Sequence, residues 1–227
     1  MRLIKTILRK IKRFLVAILG SKIDELYWCF RHISDKEWTK GYISDETIQH
    51  PHRKFLIEKI SKYYPFDTVL EIGCASGPNL YILAKKFPEG KIYGIDISKR
   101  AIEEGKKYFG KGKIKNVFLH AGGIKILKDF QDKSADIVFT DAVLIYFDKH
   151  KIEIAIKEIL RVARKAVIFF ELHHDLKDSI YKDNWIHNYK LLLSRFVPEK
   201  NIKAMKIPSN LWGGNWEKYG YIIEVIL

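Results

Sequence analysis

Five apolar runs, at residues 69–72, 91–98, 116–120, 135–141 and 165–171, set the rhythm of this chain. They are rich in β-branched and aromatic residues and nearly continuous in apolarity, as in parallel strands covered on both faces. Between and around them, helical spacing predicts helices over 54–64, 99–108 and 151–164. Strand and helix in alternation predict an α/β domain with a mostly parallel sheet. Residues 203–207 and 221–226, on either side of Leu211-Trp212-Gly213-Gly214-Asn215-Trp216, read as a closing hairpin. No internal repeat or low-complexity segment interrupts the pattern.

The first strand runs into the most informative turn, Val69-Leu70-Glu71-Ile72-Gly73-Cys74-Ala75-Ser76-Gly77-Pro78. Gly73 and Gly77 permit a tight turn with close backbone approach, and Pro78 suits the first turn of a helix. A strand–turn–helix of this kind brings bare backbone up to a ligand at the carboxyl end of a sheet. Positions 73, 75 and 78 are Gly, Ala and Pro, so the dinucleotide fingerprint G-x-G-x-x-G fails twice. Glu71 would repel a pyrophosphate and suits a cation instead. The second strand ends in Asp96, 23 residues after Gly73, the spacing of a carboxylate that accepts two ribose hydroxyls. Ser98 caps the following helix.

Together these residues resemble motifs I and II of the class I S-adenosylmethionine (SAM) methyltransferases. Glu71, Gly73 and Gly77 match the acidic glycine turn, Ala75 replaces its middle glycine, and Asp96 takes the motif II place. The resemblance covers roughly residues 54–227. It implies a three-layer α-β-α, Rossmann-like fold with a seven-stranded sheet, an antiparallel last strand and added N-terminal helices. It also implies SAM as cofactor, bound by Glu71, Gly73, Cys74, Ala75, Gly77, Asp96, Ile97 and Asp141. Cys74 is expected to be a small packed residue rather than a nucleophile. One departure follows the third strand: His120-Ala121-Gly122-Gly123 lacks the aspartate that relatives carry there for the adenine amino group.

Charge adds a second theme. The chain carries a formal +14, and Arg2, Lys5, Arg9, Lys10, Lys12, Arg13 and Lys22 precede its first acid, Asp24. Leu3, Ile4, Ile7, Leu8, Ile11, Phe14, Leu15 and Ile18 line one helical face of the same stretch. Its longest apolar run is too short to span a bilayer. Residues 1–22 therefore suit a helix in a membrane interface, or one docked on the protein itself or on a second subunit. Residues 23–66 are expected to form a helical lid segment, with Trp38, Tyr42, His50 and Arg53 as candidate lining residues, and 67–227 the SAM domain. Two cysteines form no disulfide framework and fit a reducing, cytoplasmic setting, with peripheral contact on the inner face of the membrane.

The acceptor is the less specified half. A hydroxyl acceptor gains from a general base, and the candidates at strand ends are Asp141, Glu171, His173 and His174. The Asn-Pro-Pro-aromatic signature of amino-group methylation is missing, and no acidic constellation suggests a divalent metal. The expectation is oxygen methylation of a small molecule, sugar or lipid-linked glycan, with His173 or His174 as base. An RNA methyltransferase remains open, since lysines accompany tyrosines and tryptophans suited to stacking. So does a non-catalytic SAM-binding protein, given Ala75 and Gly123.

Overall fold

The computed structural model describes residues 41–176, 178–181 and 184–227. Residues 1–22 and Trp38, for which the membrane helix and a lid contact were expected, lie outside them. Among the described residues no helix is long and apolar enough to cross a membrane.

Among the described residues, two helices precede the sheet, α1 (Asp45–Ile48) and α2 (Pro51–Ser61). Then β1 (Thr68–Ile72), α3 (Pro78–Lys86), β2 (Lys91–Asp96), α4 (Lys99–Lys111) and β3 (Val117–Ala121) follow in strict alternation. After β4 (Ala135–Asp141) come α5 (Lys149–Val162) and β5 (Ala163–Leu172). The chain closes through a small hairpin, β6 (Ser179–Tyr181) and β7 (Asn184–Ile186), then α6 (Tyr189–Leu193), β8 (Ile202–Lys206), α7 (Asn215–Tyr219) and β9 (Gly220–Ile226). The main sheet has the order β3-β2-β1-β4-β5-β9-β8, with β1 to β5 parallel and β9 antiparallel to both its neighbours. This is the expected seven-stranded sheet with an antiparallel last strand. Strand order reverses beside β1, so the crevice at the carboxyl ends of β1, β2 and β4 is the natural ligand site.

Local chemistry places the element ends. Ser98 accepts from the Ala101 backbone N–H and caps α4, and Pro78 opens α3. Asp148 caps α5 by accepting from the N–H groups of His150 and Lys151, so that helix starts before the expected residue 151. It stops at Val162, and β5 begins at Ala163 with no intervening loop, where sequence spacing suggested helix through 164. The reason is tertiary: Ala163 pairs with Ala135 of β4, and sheet pairing overrides local helical preference. Between β3 and β4 only a 3-10 helix (Ile124–Asp129) crosses over.

Two buried clusters fill the two faces of the sheet. One joins Leu56, Leu80, Phe109, Phe139, Phe170 and Trp216; the other joins Leu70, Val138, Ile156, Phe169 and Tyr189. Helix α4 comes unusually close to the motif I turn. A Cβ at Gly105 would lie 2.6 Å from the Ser76 carbonyl oxygen and 2.7 Å from Leu119, whereas one at Gly110 in the same helix meets nothing within 4 Å. Gly105→Ala is therefore expected to destabilise the protein by about 1–3 kcal/mol through overpacking. Gly110→Ala is expected to stabilise it by up to about 1 kcal/mol from helix propensity. Chemical denaturation of the two variants checks both signs.

Candidate active site

The β1–α3 turn holds its shape through backbone hydrogen bonds. The N–H groups of Gly73 and Cys74 both donate to the Ile95 carbonyl, at 2.8 and 3.0 Å. Gly73 has φ +76°, and a Cβ there would strike the Val143 side chain at 2.4 Å, so this position needs glycine twice over. Ala75, where the family pattern has a glycine, keeps the left-handed conformation at φ 49°. That conformation costs an alanine roughly 1–2 kcal/mol. Its N–H donates to Asp96 Oδ2 at 2.8 Å, while Asp96 Oδ1 accepts from Ser98 N–H at 2.8 Å. Asp96 is thus fixed at the end of β2. Burial pushes its carboxyl above the usual Asp range, against the pull of these two N–H groups.

The turn, strand ends and α1–α2 segment enclose a cleft of about 870 Å³. Glu71, Gly73, Cys74, Ala75, Asp96, Ile97 and Asp141 all line it. Gly77 does not: it has φ +87° at the start of α3, and a Cβ there would press on Phe109 at 2.9 Å. Its place is to close the turn and let α4 pack, where ligand contact was expected. Cys74 is 2 % exposed, and burial drives its thiol well above the ordinary range, so it remains an inert thiol. Gly122, Gly123 and Ile124 border the cleft beyond β3, where relatives carry the missing aspartate.

At the other end lies a buried polar network that the sequence reading saw only in part. Asn79, in the first turn of α3, donates to Glu71 Oε1 at 2.7 Å and to Asp141 Oδ2 at 2.9 Å. Arg53 Nη1 donates to Asn79 Oδ1 at 2.9 Å and to Asp141 Oδ2 at 3.2 Å, and its Nε donates to the Thr47 carbonyl at 2.8 Å. His52 Nε2 meets the same Asp141 oxygen at 3.1 Å. Burial alone would raise Asp141, but His52, Arg53 and Asn79 outweigh it and hold the carboxyl down at about 2. Glu71 goes the other way. Burial pushes it up to about 8, and the nearby Asp141 charge reinforces this against the Asn79 hydrogen bond and Arg53.

The residues fit SAM. Glu71 Oε2 and Asp141 Oδ1 are buried acceptors with no partner among the described residues, both on residues that line the cleft. Two such oxygens suit the ammonium of a methionine moiety. Each Asp96 oxygen accepts a single backbone N–H and retains a lone pair for one ribose hydroxyl.

Tyr42, His50 and Arg53 line the cleft. His173 and His174, expected as base candidates, lie outside this lining. His173 is 1 % exposed; its Nδ1 accepts from the Tyr189 N–H at 3.1 Å and its Nε2 faces Asp175 at 3.2 Å. It ties β5 to α6. His174 Nδ1 accepts from the Leu176 N–H in the exposed loop. Glu171 is also structural: its Oε1 accepts from Thr140 Oγ1 and from the N–H groups of Val143 and Leu144, fixing the loop after β4. Burial raises its carboxyl to about 8. The residues missed were Asn79, His52 and Trp212. His52 stands between the candidate lining residues His50 and Arg53, and Asn79 follows the helix-opening Pro78. Trp212 stacks on the His52 ring at 4.1 Å and on Trp216 at 4.5 Å, a long-range contact without a local signal.

Comparison with known proteins agrees with this geometry. The methyltransferase domain family matches residues 66–224. The ribosomal protein L11 methyltransferase of Dictyoglomus thermophilum is 31 % identical over 163 residues, 70 % of this chain and 46 % of that protein. The tRNA N(3)-methylcytidine methyltransferase trm141 of Schizosaccharomyces pombe is 34 % identical over 95 residues, 39 % of this chain and 38 % of that protein. The chain spans less than half the length of the curated relatives it matches. Among solved structures, a SAM-dependent methyltransferase from Aquifex aeolicus superposes with a TM-score of 0.61 at 16 % identity, covering 85 % of this chain and 98 % of that one. The SAM-bound magnesium protoporphyrin IX methyltransferase of Synechocystis gives 0.63 at 15 % identity, covering 89 % and 96 %.

Asp96→Ala removes the ribose acceptor and leaves the Ala75 and Ser98 N–H groups unpaired, so SAM affinity is expected to fall by about 1–3 kcal/mol in calorimetry. Unchanged affinity would mean that the ribose lies elsewhere. With an acidic glycine turn, a strand-end aspartate and a family match over most of its length, this chain belongs to the methyltransferase domain family of class I, SAM-dependent enzymes.

Proposed function

We propose that the enzyme methylates a hydroxyl of a small acceptor, a free metabolite, a sugar or a lipid-linked glycan, held between the α1–α2 segment and Trp212. The observation that carries this reading is the walling of the cleft. Tyr42, Glu46, Thr47 and His50 face it from one side, Tyr146 and Lys151 border it, and Trp212 reaches in from the β8–α7 connection. Chain on several sides, within about 870 Å³ that also has to take the cofactor, favours a compact acceptor.

SAM supplies an electrophilic methyl group on a sulfonium. The protein's contribution is placement: Glu71, Asn79 and Asp141 fix the amino-acid end, Asp96 the ribose, and the aromatic wall the acceptor. Holding both reactants in line supplies much of the rate of such a displacement. The Synechocystis neighbour acts on magnesium protoporphyrin IX, a small molecule, which is compatible with this reading.

Label transfer from methyl-labelled SAM into separated pools of small metabolites, membrane lipids and RNA tests the proposal. Label in the first or second pool supports it; label in RNA alone overturns it. Trp212→Ala removes the ring stacked on His52 and is expected to raise acceptor KM about tenfold, the scale of one aromatic contact. SAM affinity should change by less than about threefold in the same variant.

A further inference from the structure

Resting on that reading, we propose that His50 is the general base for the acceptor and that His52 and Asp141 form a relay behind it. The placement is geometric. His50 stands immediately before α2 and lines the cleft, with its Nδ1 turned to His52 Nδ1 in direct hydrogen-bond contact. The other nitrogen of His52, Nε2, lies 3.1 Å from Asp141 Oδ2. Trp212 packs flat on His52 at 4.1 Å and lies 5.5 Å from His50, so both rings are held from the side.

Charge and hydrogen-bond inventory select one arrangement of protons. Asp141 is ionised and accepts from Arg53 and Asn79, so His52 Nε2 must carry a proton to meet the same oxygen. The Arg53 guanidinium already balances the Asp141 charge. In the relay the hydrogen shared between the two rings belongs to His50, with His52 Nδ1 as its acceptor. This leaves His50 Nε2 as the unprotonated nitrogen. The His52 backbone nitrogen also lies 3.4 Å from His50 Nδ1, too long to decide the tautomer. Burial, foremost, and the Arg53 charge lower the His50 pKa against the pull of Asp141, so the ring is neutral at physiological pH. Glu46, Glu71, Asp96 and Lys151 border the same cleft from α1, β1, β2 and α5.

In the reaction the acceptor oxygen bonds the methyl carbon as the carbon–sulfur bond breaks, and S-adenosylhomocysteine leaves as a neutral thioether. The hydroxyl proton goes to His50 Nε2. The resulting imidazolium is stabilised through Nδ1–H to His52 and through His52 Nε2–H to Asp141. After product release the proton passes to solvent.

Ring-nitrogen NMR of isotope-labelled histidines, in the full chain with S-adenosylhomocysteine bound, tests the relay without any acceptor. Protonated Nδ1 and bare Nε2 on His50, with Nε2–H and a bare Nδ1 on His52, is the expected result. A proton on His50 Nε2, or a doubly protonated His52 at neutral pH, overturns the relay while leaving methyl transfer intact. With an acceptor pool that takes label, His50→Gln should lower kcat by about 10²–10⁴-fold. It should also abolish the acid limb of the pH profile, which in the wild type lies below about 6.5 because turnover is lost as pH falls through the lowered His50 pKa. His52→Phe keeps a ring against Trp212 but no nitrogen, and should cut kcat about tenfold or more with little change in acceptor KM. A rise in KM alone would make His52 a packing residue and overturn its place in the relay.

Discussion

A buried, ionised carboxylate organises this enzyme's cleft. Asp141 ends β4 at the point where strand order reverses, and one of its oxygens draws donors from α2 and α3 at once. Charged groups are expensive to bury unless paired and hydrogen-bonded. The fold meets that requirement with a guanidinium, an amide and an imidazole, each from a different position of the chain. Because their geometry is shared, the cofactor turn, the strand end and the α1–α2 segment take up one mutual arrangement.

The two carboxylates beside each other there do different things for a physical reason. Glu71 receives one amide donor and lies next to an existing negative charge, so its own ionisation is disfavoured in the free protein. A cationic ligand reverses that balance, since a sulfonium or ammonium favours the charged form. The acidic turn is therefore matched to a positive ligand and mismatched to phosphates. The same incompatibility excluded a dinucleotide from the residues alone.

Much of the sheet was legible because its strands are buried on both faces and announce themselves as apolar runs. The acidic turn and Asp96 were legible for another reason: backbone close to a ligand tolerates few residue types, and the spacing from strand to strand is fixed by the βα unit. What escaped was assembled by tertiary contact. Trp212 sits 160 residues after His52, and nothing around either predicts that their rings stack. His173 and His174 attracted attention by standing after a strand, where functional residues gather. Yet β5 continues into a buried junction with α6, and the His173 ring is consumed there by the Tyr189 backbone. The α5–β5 boundary moved for a related reason, since strand pairing at Ala163 leaves no room for a loop.

Arg53 joins the cap segment to the cleft in a way that restricts which residues can stand there. Its Nε is committed to the Thr47 carbonyl, while its Nη1 reaches Asn79 and Asp141 in another direction. Only a planar, forked cation reaches both, and a lysine of equal charge would reach one and abandon the other. Sequence drift on the outer face of the cap is consequently decoupled from its docking. The segment can change the surface it turns to the cleft while a single side chain keeps it in register with Asn79 and Asp141, which leaves the cofactor turn untouched.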